Sequence, residues 1–195
     1  DVNETWNGTS WTEVADMNTS RSMMGAAGTQ TASLAYGGEP STENTESWNG
    51  STWTEVNNLN GAKRQFGSNG TQTSALAYGG EDPGAANITE TEVWNGTSWT
   101  EVNDINTARR DLQGCGVNST SALAFGGFIP PGQTLTESWN GTNWTNENSM
   151  SVAKYGHGAA GTKTSALAYA GAPGVLTATE EWNGDGVTTQ TITAT

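Results

Sequence analysis

Apolar residues recur along this chain in short alternating runs that are separated by turn residues, and no helical period is present. In one unit, Ser74, Leu76 and Tyr78 alternate with Ala75 and Ala77, a period of two that predicts a β-strand. Extended over the unit, the pattern predicts four strands, at Phe66–Gly70, Ser74–Gly80, Glu90–Trp94 and Ser98–Val102. The basic unit is therefore four short strands joined by turns.

A Trp-Asn-Gly phrase opens the hairpin between the third and fourth strands of each unit. It begins at positions 6, 48, 94, 139 and 182, at intervals of 42, 46, 45 and 43 residues. Asn-Gly predicts a tight hairpin turn because both residues tolerate positive φ. All nine tryptophans lie in these hairpins, and we predict a structural role for them: Trp6, Trp11, Trp48, Trp53, Trp94, Trp99, Trp139, Trp144 and Trp182.

A repeat of four strands in about forty residues is typical of a propeller blade. The sequence therefore predicts an all-β fold, a β-propeller of four to five small four-stranded antiparallel blades in one domain, residues 1–195. The units are approximately residues 1–20 (a half unit), 21–62, 63–108, 109–153 and 154–195.

The half unit leaves the closure of the ring open, because about 18 strands are too many for four blades and too few for five. The N-terminal strand pair could complete the blade of the last unit, with residues 182–195 as a tail. The chain could be a segment of a longer array, or the spare pair could dock on another copy.

The order of motifs in each unit resembles the kelch repeat. One unit carries Tyr78-Gly79-Gly80, then Trp94, Trp99, Ile105 and Arg109, and the likeness covers essentially the whole chain. The resemblance implies a propeller and leaves its function open. Trp replaces the usual Tyr of the third strand, and the last double glycine is Ala170-Gly171. The near-identity of the copies is typical of recent duplication, as in bacterial, phage or environmental surface proteins.

The composition limits the partners. The net charge is −13, with 20 acidic and seven basic residues, so nucleic acid is not an expected partner. We interpret the acidity as an aid to solubility in a saline or extracellular setting. No apolar run approaches 18 residues, and no membrane insertion is expected. The single cysteine excludes an internal disulfide framework.

Six of the seven basic residues lie in the crossovers that lead from one unit to the next, where we expect them to ring the mouth of a central channel. As a ligand-binding set, they would bind an anionic group of a glycan through forked donors. In the alternative interpretation, each cation pairs with a strand carboxylate such as Glu55 or Glu101 and fixes blade against blade. The six are Arg21, Lys63, Arg64, Arg109, Arg110 and Lys154.

Catalytic chemistry has little support in the sequence. The only histidine, His157, stands where other units carry Met24, Phe66 and Gln113, which predicts a packing role. Cys115, aligned with Ala26 and Ser68, is interpreted in the same way. One His and one Cys cannot form a transition-metal site. We therefore predict no catalytic residue, metal site or cofactor.

The loops between second and third strands vary in length and sequence, and they share one face with the crossovers. Variable loops on a rigid scaffold are typical of binding surfaces. We expect a non-enzymatic extracellular or virion-surface module that recognises a glycan or a protein through this face. The alternative is a structural subunit of a filament, fibre or capsid decoration that self-associates through its terminal strands. A propeller glycosidase is the third hypothesis. The variable loops are residues 39–45, 81–89, 128–135 and 172–179.

Overall fold

The chain is all β in the part that the computed structural model describes, residues 2–174, 176–184 and 190–192. A two-stranded N-terminal sheet, here called the half-blade, precedes four antiparallel four-stranded sheets, called blades 1 to 4. The half-blade is β1 (Asn3–Trp6) and β2 (Trp11–Val14). Blade 1 is β3 (Gly25–Thr29), β4 (Ala32–Tyr36), β5 (Thr45–Trp48) and β6 (Trp53–Val56).

The remaining blades repeat this plan in chain order. Blade 2 is β7 (Gly67–Thr71), β8 (Ser74–Tyr78), β9 (Thr91–Trp94) and β10 (Trp99–Val102). Blade 3 is β11 (Gln113–Asn118), β12 (Ser121–Phe125), β13 (Thr136–Trp139) and β14 (Trp144–Asn146). Blade 4 is β15 (Gly158–Thr162), β16 (Ser165–Tyr169), β17 (Thr179–Trp182) and β18 (Gln190–Ile192).

The first strand of each blade lies next to the first strand of the following blade. These inner strands line a shared central channel of about 360 Å³. The predicted class is confirmed: the chain is all β, and its repeated four-stranded antiparallel sheets are consistent with propeller blades. The sheets do not close into a ring in the described part of the chain.

The half-blade corresponds to the third and fourth strands of a blade. In blade 4, β16 pairs with β17 of its own unit, with Ala166 opposite Trp182. The N-terminal pair therefore does not complete the last blade, which was one of the three arrangements the sequence left open. The local connection accounts for this result, since a short loop brings β17 back beside β16 at little entropic cost.

The Asn-Gly turns are four-residue loops rather than two-residue turns. Trp94 pairs with Trp99 across the loop, and Gly96 takes positive φ while Asn95 does not. The Asn95 side-chain oxygen instead accepts the backbone N–H groups of Thr97 and Ser98, both at 2.9 Å. The asparagine is thus selected for its hydrogen bonds, as in other Asx turns.

Tryptophans of the fourth strands pack blade 2 against blade 1 and blade 3 against blade 2. The Trp99 ring lies 4.7 Å from that of Tyr36 in the preceding blade, and its Nε1 donates to Thr45 Oγ1 at 3.1 Å. Such aromatic pairs add to the free energy of simple burial. The next interface repeats the arrangement with Trp144, Tyr78 and Thr91.

Glycine in the first strand makes room for the aromatic residue that ends the second strand. Gly67 pairs with Tyr78, and a Cβ at Gly67 would lie 2.1 Å from the Tyr78 ring. A side chain there would collide with the ring, which explains why the innermost strands are rich in small residues.

We expect the Trp144→Ala substitution to lower the free energy of unfolding by about 3–5 kcal/mol, because it empties a packed interface between blades. Trp11 holds the same repeat position in the half-blade but is 63% exposed, so Trp11→Ala should cost less than about 1 kcal/mol. Urea denaturation of the two variants in dilute solution measures the difference. Equal losses would contradict this account of the packing.

Candidate functional site

Four of the six crossover cations are buried inside their own blades. Each pairs with the glutamate of the third strand that follows it in the chain. Their side chains are fully buried, and the glutamates are at most 2% exposed. The pairs are Arg21 with Glu46, Lys63 with Glu92, Arg109 with Glu137 and Lys154 with Glu180.

The crossover backbone holds the same glutamates from the other side. The second carboxylate oxygen of Glu92 accepts both the backbone N–H and the side-chain amide of Asn60, each at 2.8 Å. Glu46 and Glu137 are bound in the same way, by Asn18 and Asn106. Burial of a charge requires an opposite charge and hydrogen bonds of this kind. We call this arrangement of cation, carboxylate and crossover backbone the crossover clamp.

The clamp differs from the ion pairs that the sequence pointed to. Glu55 and Glu101 lie on the fourth strands and are exposed, whereas the actual partners lie on the third strands. The four clamp cations consequently do not present charge at the mouth of the channel. Of the six crossover cations, only Arg64 and Arg110 reach the surface, with side chains 26% and 28% exposed.

Arg64 and Arg110 belong to a continuous row of side chains on the loop face. Arg64 bridges Glu39 and Glu81, and its contact with Glu81 is 3.1 Å. Arg110 contacts the other oxygen of Glu81 at 3.2 Å and lies 4.7 Å above the Phe128 ring. That ring in turn packs 4.7 Å from Tyr155. We call the row Glu39, Arg64, Glu81, Arg110, Phe128 and Tyr155 the loop-face band; it crosses all four blades.

Equivalent backbone bridges hold the band in every blade. One residue of each bridge lies in the crossover, and the other is the third residue after the second strand. The side chains at these positions change from blade to blade, although the backbone geometry repeats. The bridges are Ser22 with Glu39, Arg64 with Glu81, Arg110 with Phe128 and Tyr155 with Ala172.

A ladder of backbone hydrogen bonds runs from blade to blade beside the band. Gln65 N–H donates to Met23 O at 3.1 Å, Asp111 N–H to Gln65 O at 2.8 Å, and Gly156 N–H to Asp111 O at 2.9 Å. All four residues of the ladder, Met23, Gln65, Asp111 and Gly156, adopt positive φ. Burial raises the pKa of the Asp111 carboxyl. The ladder fixes the spacing of the band across neighbouring blades.

His157 is packed into the interface between blades 3 and 4, 5.5 Å from the Phe125 ring. The strand register makes Leu112, not Gln113, its counterpart in blade 3. Burial, together with the nearby Lys154 charge, lowers the pKa of His157 to about 4. The imidazole is therefore neutral at physiological pH and lies among apolar neighbours.

Cys115 is likewise packed between blades. The register places it level with Asn69 and Ala27 rather than with Ser68 and Ala26, as aligned from the sequence. A register shift in β11 between Cys115 and Asn118 accounts for the difference. Burial raises the pKa of the Cys115 thiol to about 12, so the thiol is protonated and poorly nucleophilic.

Sequence reasoning selected the two exposed arginines of the band and placed Glu39, Glu81 and Phe128 at the starts of the variable loops. It did not single out these three residues or Tyr155. Glu39, Glu81 and Phe128 all follow the Gly-Gly pair that ends a second strand. Alignment of the positions after Gly-Gly could have located them. Tyr155 has no such motif, and only the repeat spacing identifies it as the counterpart of Arg64 and Arg110.

No protein-family model matches the chain, and no curated protein matches it. Within the described ranges, no group of three or more His, Cys, Asp or Glu side chains could hold a metal ion. The same ranges contain no helix that could cross a membrane.

We expect the Glu137→Gln substitution to destabilise the fold by about 3–5 kcal/mol, because it leaves Arg109 buried without a counter-charge. Glu4 occupies the same strand position in the half-blade, where it is exposed, so Glu4→Gln is the matched control. Chemical denaturation should show a large loss for the first variant and little change for the second. A similar stability for both would show that the clamp is not a main source of stability.

Proposed function

We propose that this chain is a kelch-like propeller module, acting without catalysis at an extracellular or virion surface, and that it binds a glycan or a protein through the loop-face band. The kelch-type assignment rests on the repeated Gly-Gly, Trp and crossover-cation positions. The net charge of −13 supports an extracellular or virion setting.

The observation that carries this proposal is the variation of side chains on a repeated frame. Four equivalent backbone bridges hold serine, arginine or tyrosine on one side and glutamate, phenylalanine or alanine on the other. The third-strand glutamate and tryptophan and the second-strand leucine, in contrast, are the same in all four blades. Side chains that differ on a constant scaffold are suited to recognition.

The composition of the band favours a carbohydrate over a protein. Aromatic rings at Phe128 and Tyr155 offer faces for sugar rings. Beside them, the Arg110 guanidinium and the carboxylates of Glu81 and Glu39 can bind hydroxyl or acidic groups. These groups are half-buried or buried and held by one another, so they are already ordered before a ligand binds.

Binding is a better proposal than glycoside hydrolysis because the repeated carboxylates are occupied. Hydrolysis needs two carboxyl groups that face one substrate. Glu46, Glu92 and Glu137 are instead held in the crossover clamps, one in each of three blades.

A glycan array tests this proposal with three proteins: the natural sequence, Arg110→Ala and Lys163→Ala. We expect the natural sequence to bind acidic glycans more weakly at high salt, and Arg110→Ala to lose about tenfold or more in affinity. Lys163 lies in the turn at the opposite end of blade 4, so its removal changes the net charge equally without touching the band. Equal effects of the two substitutions on affinity, or the absence of any bound glycan, would contradict the proposal that the band binds glycans.

We infer as a second candidate function that the chain is a structural subunit of a filament, fibre or capsid decoration. The observation that favours it is the half-blade. One edge of β1 pairs with β2, and in the described part of the chain no strand pairs with its other edge. Its tryptophans Trp6 and Trp11 are 43% and 63% exposed. An unpaired edge beside exposed aromatic rings favours pairing between chains.

Size-exclusion chromatography with light scattering tests this second function. We expect oligomers whose mass increases with protein concentration. The Trp11→Glu substitution should dissociate them. Thr12→Glu, at an exposed neighbouring position, adds the same charge and should leave the oligomers intact. A monomer at every concentration would refute assembly through this hairpin.

A further inference from the structure

Three of the four blades carry a side chain in left-handed backbone conformation at the point where the crossover leads into the inner strand. Met23, Gln65 and Asp111 have φ angles of 53°, 53° and 51°, and the equivalent residue of blade 4 is Gly156. Glycine adopts this conformation without steric cost, whereas methionine and glutamine are strained in it. Strain of this kind is a signal of a functional position. The blades thus keep three side chains where glycine would fit without strain.

These three side chains line a cavity of about 140 Å³ beside the loop-face band, at the start of the inner strands β7 and β11. Its wall combines apolar side chains with two amides and one carboxylate. Met23 and Met24 are 56% and 37% exposed, so the cavity opens to solvent. The lining residues that matter for binding are Met23, Met24, Gln65, Phe66, Asp111 and Gln113.

The carboxylate of Asp111 has no close cationic partner. Its Oδ1 accepts the side-chain amide of Gln65 at 2.9 Å, while its Oδ2 lies 3.8 Å from Arg110 Nε. The same Nε contacts Glu81 at the shorter distance of 3.2 Å. Burial raises the pKa of Asp111 by more than Arg110 and Gln65 lower it, and the charge of Glu81 adds to the rise. The Asp111 charge is therefore only partly compensated by its neighbours.

The ion pairs beside the cavity leave one negative charge in excess. Glu39, Glu81 and Asp111 supply three carboxylates, whereas Arg64 and Arg110 supply two guanidinium groups. A cation placed at Asp111 would balance this charge. Since no group of three or more acidic, histidine or cysteine side chains meets in the described residues, an organic cation suits the cavity better than a metal ion does.

We propose that this cavity binds a protonated primary alkylamine, with its ammonium group at Asp111 and its alkyl chain against Met24 and Phe66. An ammonium group has three N–H donors. Asp111 Oδ2 accepts one of them, and the side-chain oxygens of Gln65 and Gln113 accept the others. The alkyl chain is removed from water by the thioether and the aromatic ring.

This site goes beyond the proposed glycan binding and does not rest on it. In glycan binding, the Arg110 guanidinium attracts an acidic group. At the cavity, the same guanidinium repels the ammonium group and competes with it for Asp111. The two proposals therefore make opposite predictions for the removal of Arg110.

Methionine methyl signals in NMR spectra report binding directly, because two of the four methionines line the cavity. We expect n-butylamine at neutral pH to shift the Met23 and Met24 signals saturably, with a Kd on the order of millimolar. Met150, which is buried between blades 3 and 4, should not respond. n-Butanol, the uncharged analogue of the same length, should bind at least about tenfold more weakly.

Free amines and lysine side chains carry the same ammonium group, and a second ligand separates these sources. N-acetyl-lysine methylamide carries the side chain on a peptide-like backbone. If it shifts the same signals as n-butylamine, the cavity accepts a lysine of a partner polypeptide. If only n-butylamine shifts them, the cavity accepts free amines alone.

Three variants of the chain test the role of the charges. Asp111→Asn keeps the shape and tolerates positive φ, and it should weaken amine binding at least about tenfold. Glu101→Gln removes the same charge at an exposed position of β10 and should leave amine binding unchanged. Arg110→Ala should strengthen amine binding while it weakens glycan binding.

The outcomes separate the amine site from the band. A chain that binds n-butylamine but no glycan would refute the glycan proposal alone. Absence of a saturable shift, equal binding of n-butylamine and n-butanol, undiminished binding by Asp111→Asn, or loss of amine binding in Arg110→Ala would overturn the amine site.

Discussion

The buried crossover clamp is the interaction on which the rest of the structure depends. A cation or a carboxylate buried alone is costly, and the burial is tolerated when the two pair with each other and with further hydrogen-bonding groups. In each blade the clamp joins the chain entering the blade to its third strand, with cation and glutamate 25 to 29 residues apart. Hydrophobic burial in these alanine- and glycine-rich strands is modest, so the specificity of the clamp decides how each crossover is placed.

Correct placement of the crossovers has consequences on both sides of the sheet array. On the loop face, it sets the residues that follow each clamp cation, Arg64 and Arg110 among them, into backbone bridges with the second-strand ends. Between blades, it brings the inner strands to the distance at which Trp99 and Trp144 reach the tyrosines of the preceding blade. The buried clamp cations Lys63 and Arg109 are thus directly followed in the sequence by the partly exposed band residues Arg64 and Arg110.

Periodicity predicted the strands, their order and the antiparallel sheets to within one or two residues, because alternation and turn residues are local properties. It could not predict which glutamate meets which cation. Glu55 and Glu46 face each other across one hairpin, and only the three-dimensional path of the crossover selects Glu46. The contacts within the band could not be predicted for the same reason: Glu81 and Arg110 are 29 residues apart and meet only through the packing of two blades.

The open ring also follows from local rules applied without exception. Every complete unit pairs its own four strands, so no inner strand of blades 1 to 4 is left to pair with β1 of the half-blade. The residues of the half-blade nonetheless keep the identities that complete blades need: Glu4 at the clamp position, Trp6 and Trp11 at the packing positions, and Thr5 bound by Gln30. Trp6, Trp11 and Glu4 are exposed, whereas their counterparts in blades 2 and 3 are buried. Burial of these side chains therefore depends on the inner strands of a blade and not on the outer hairpin alone.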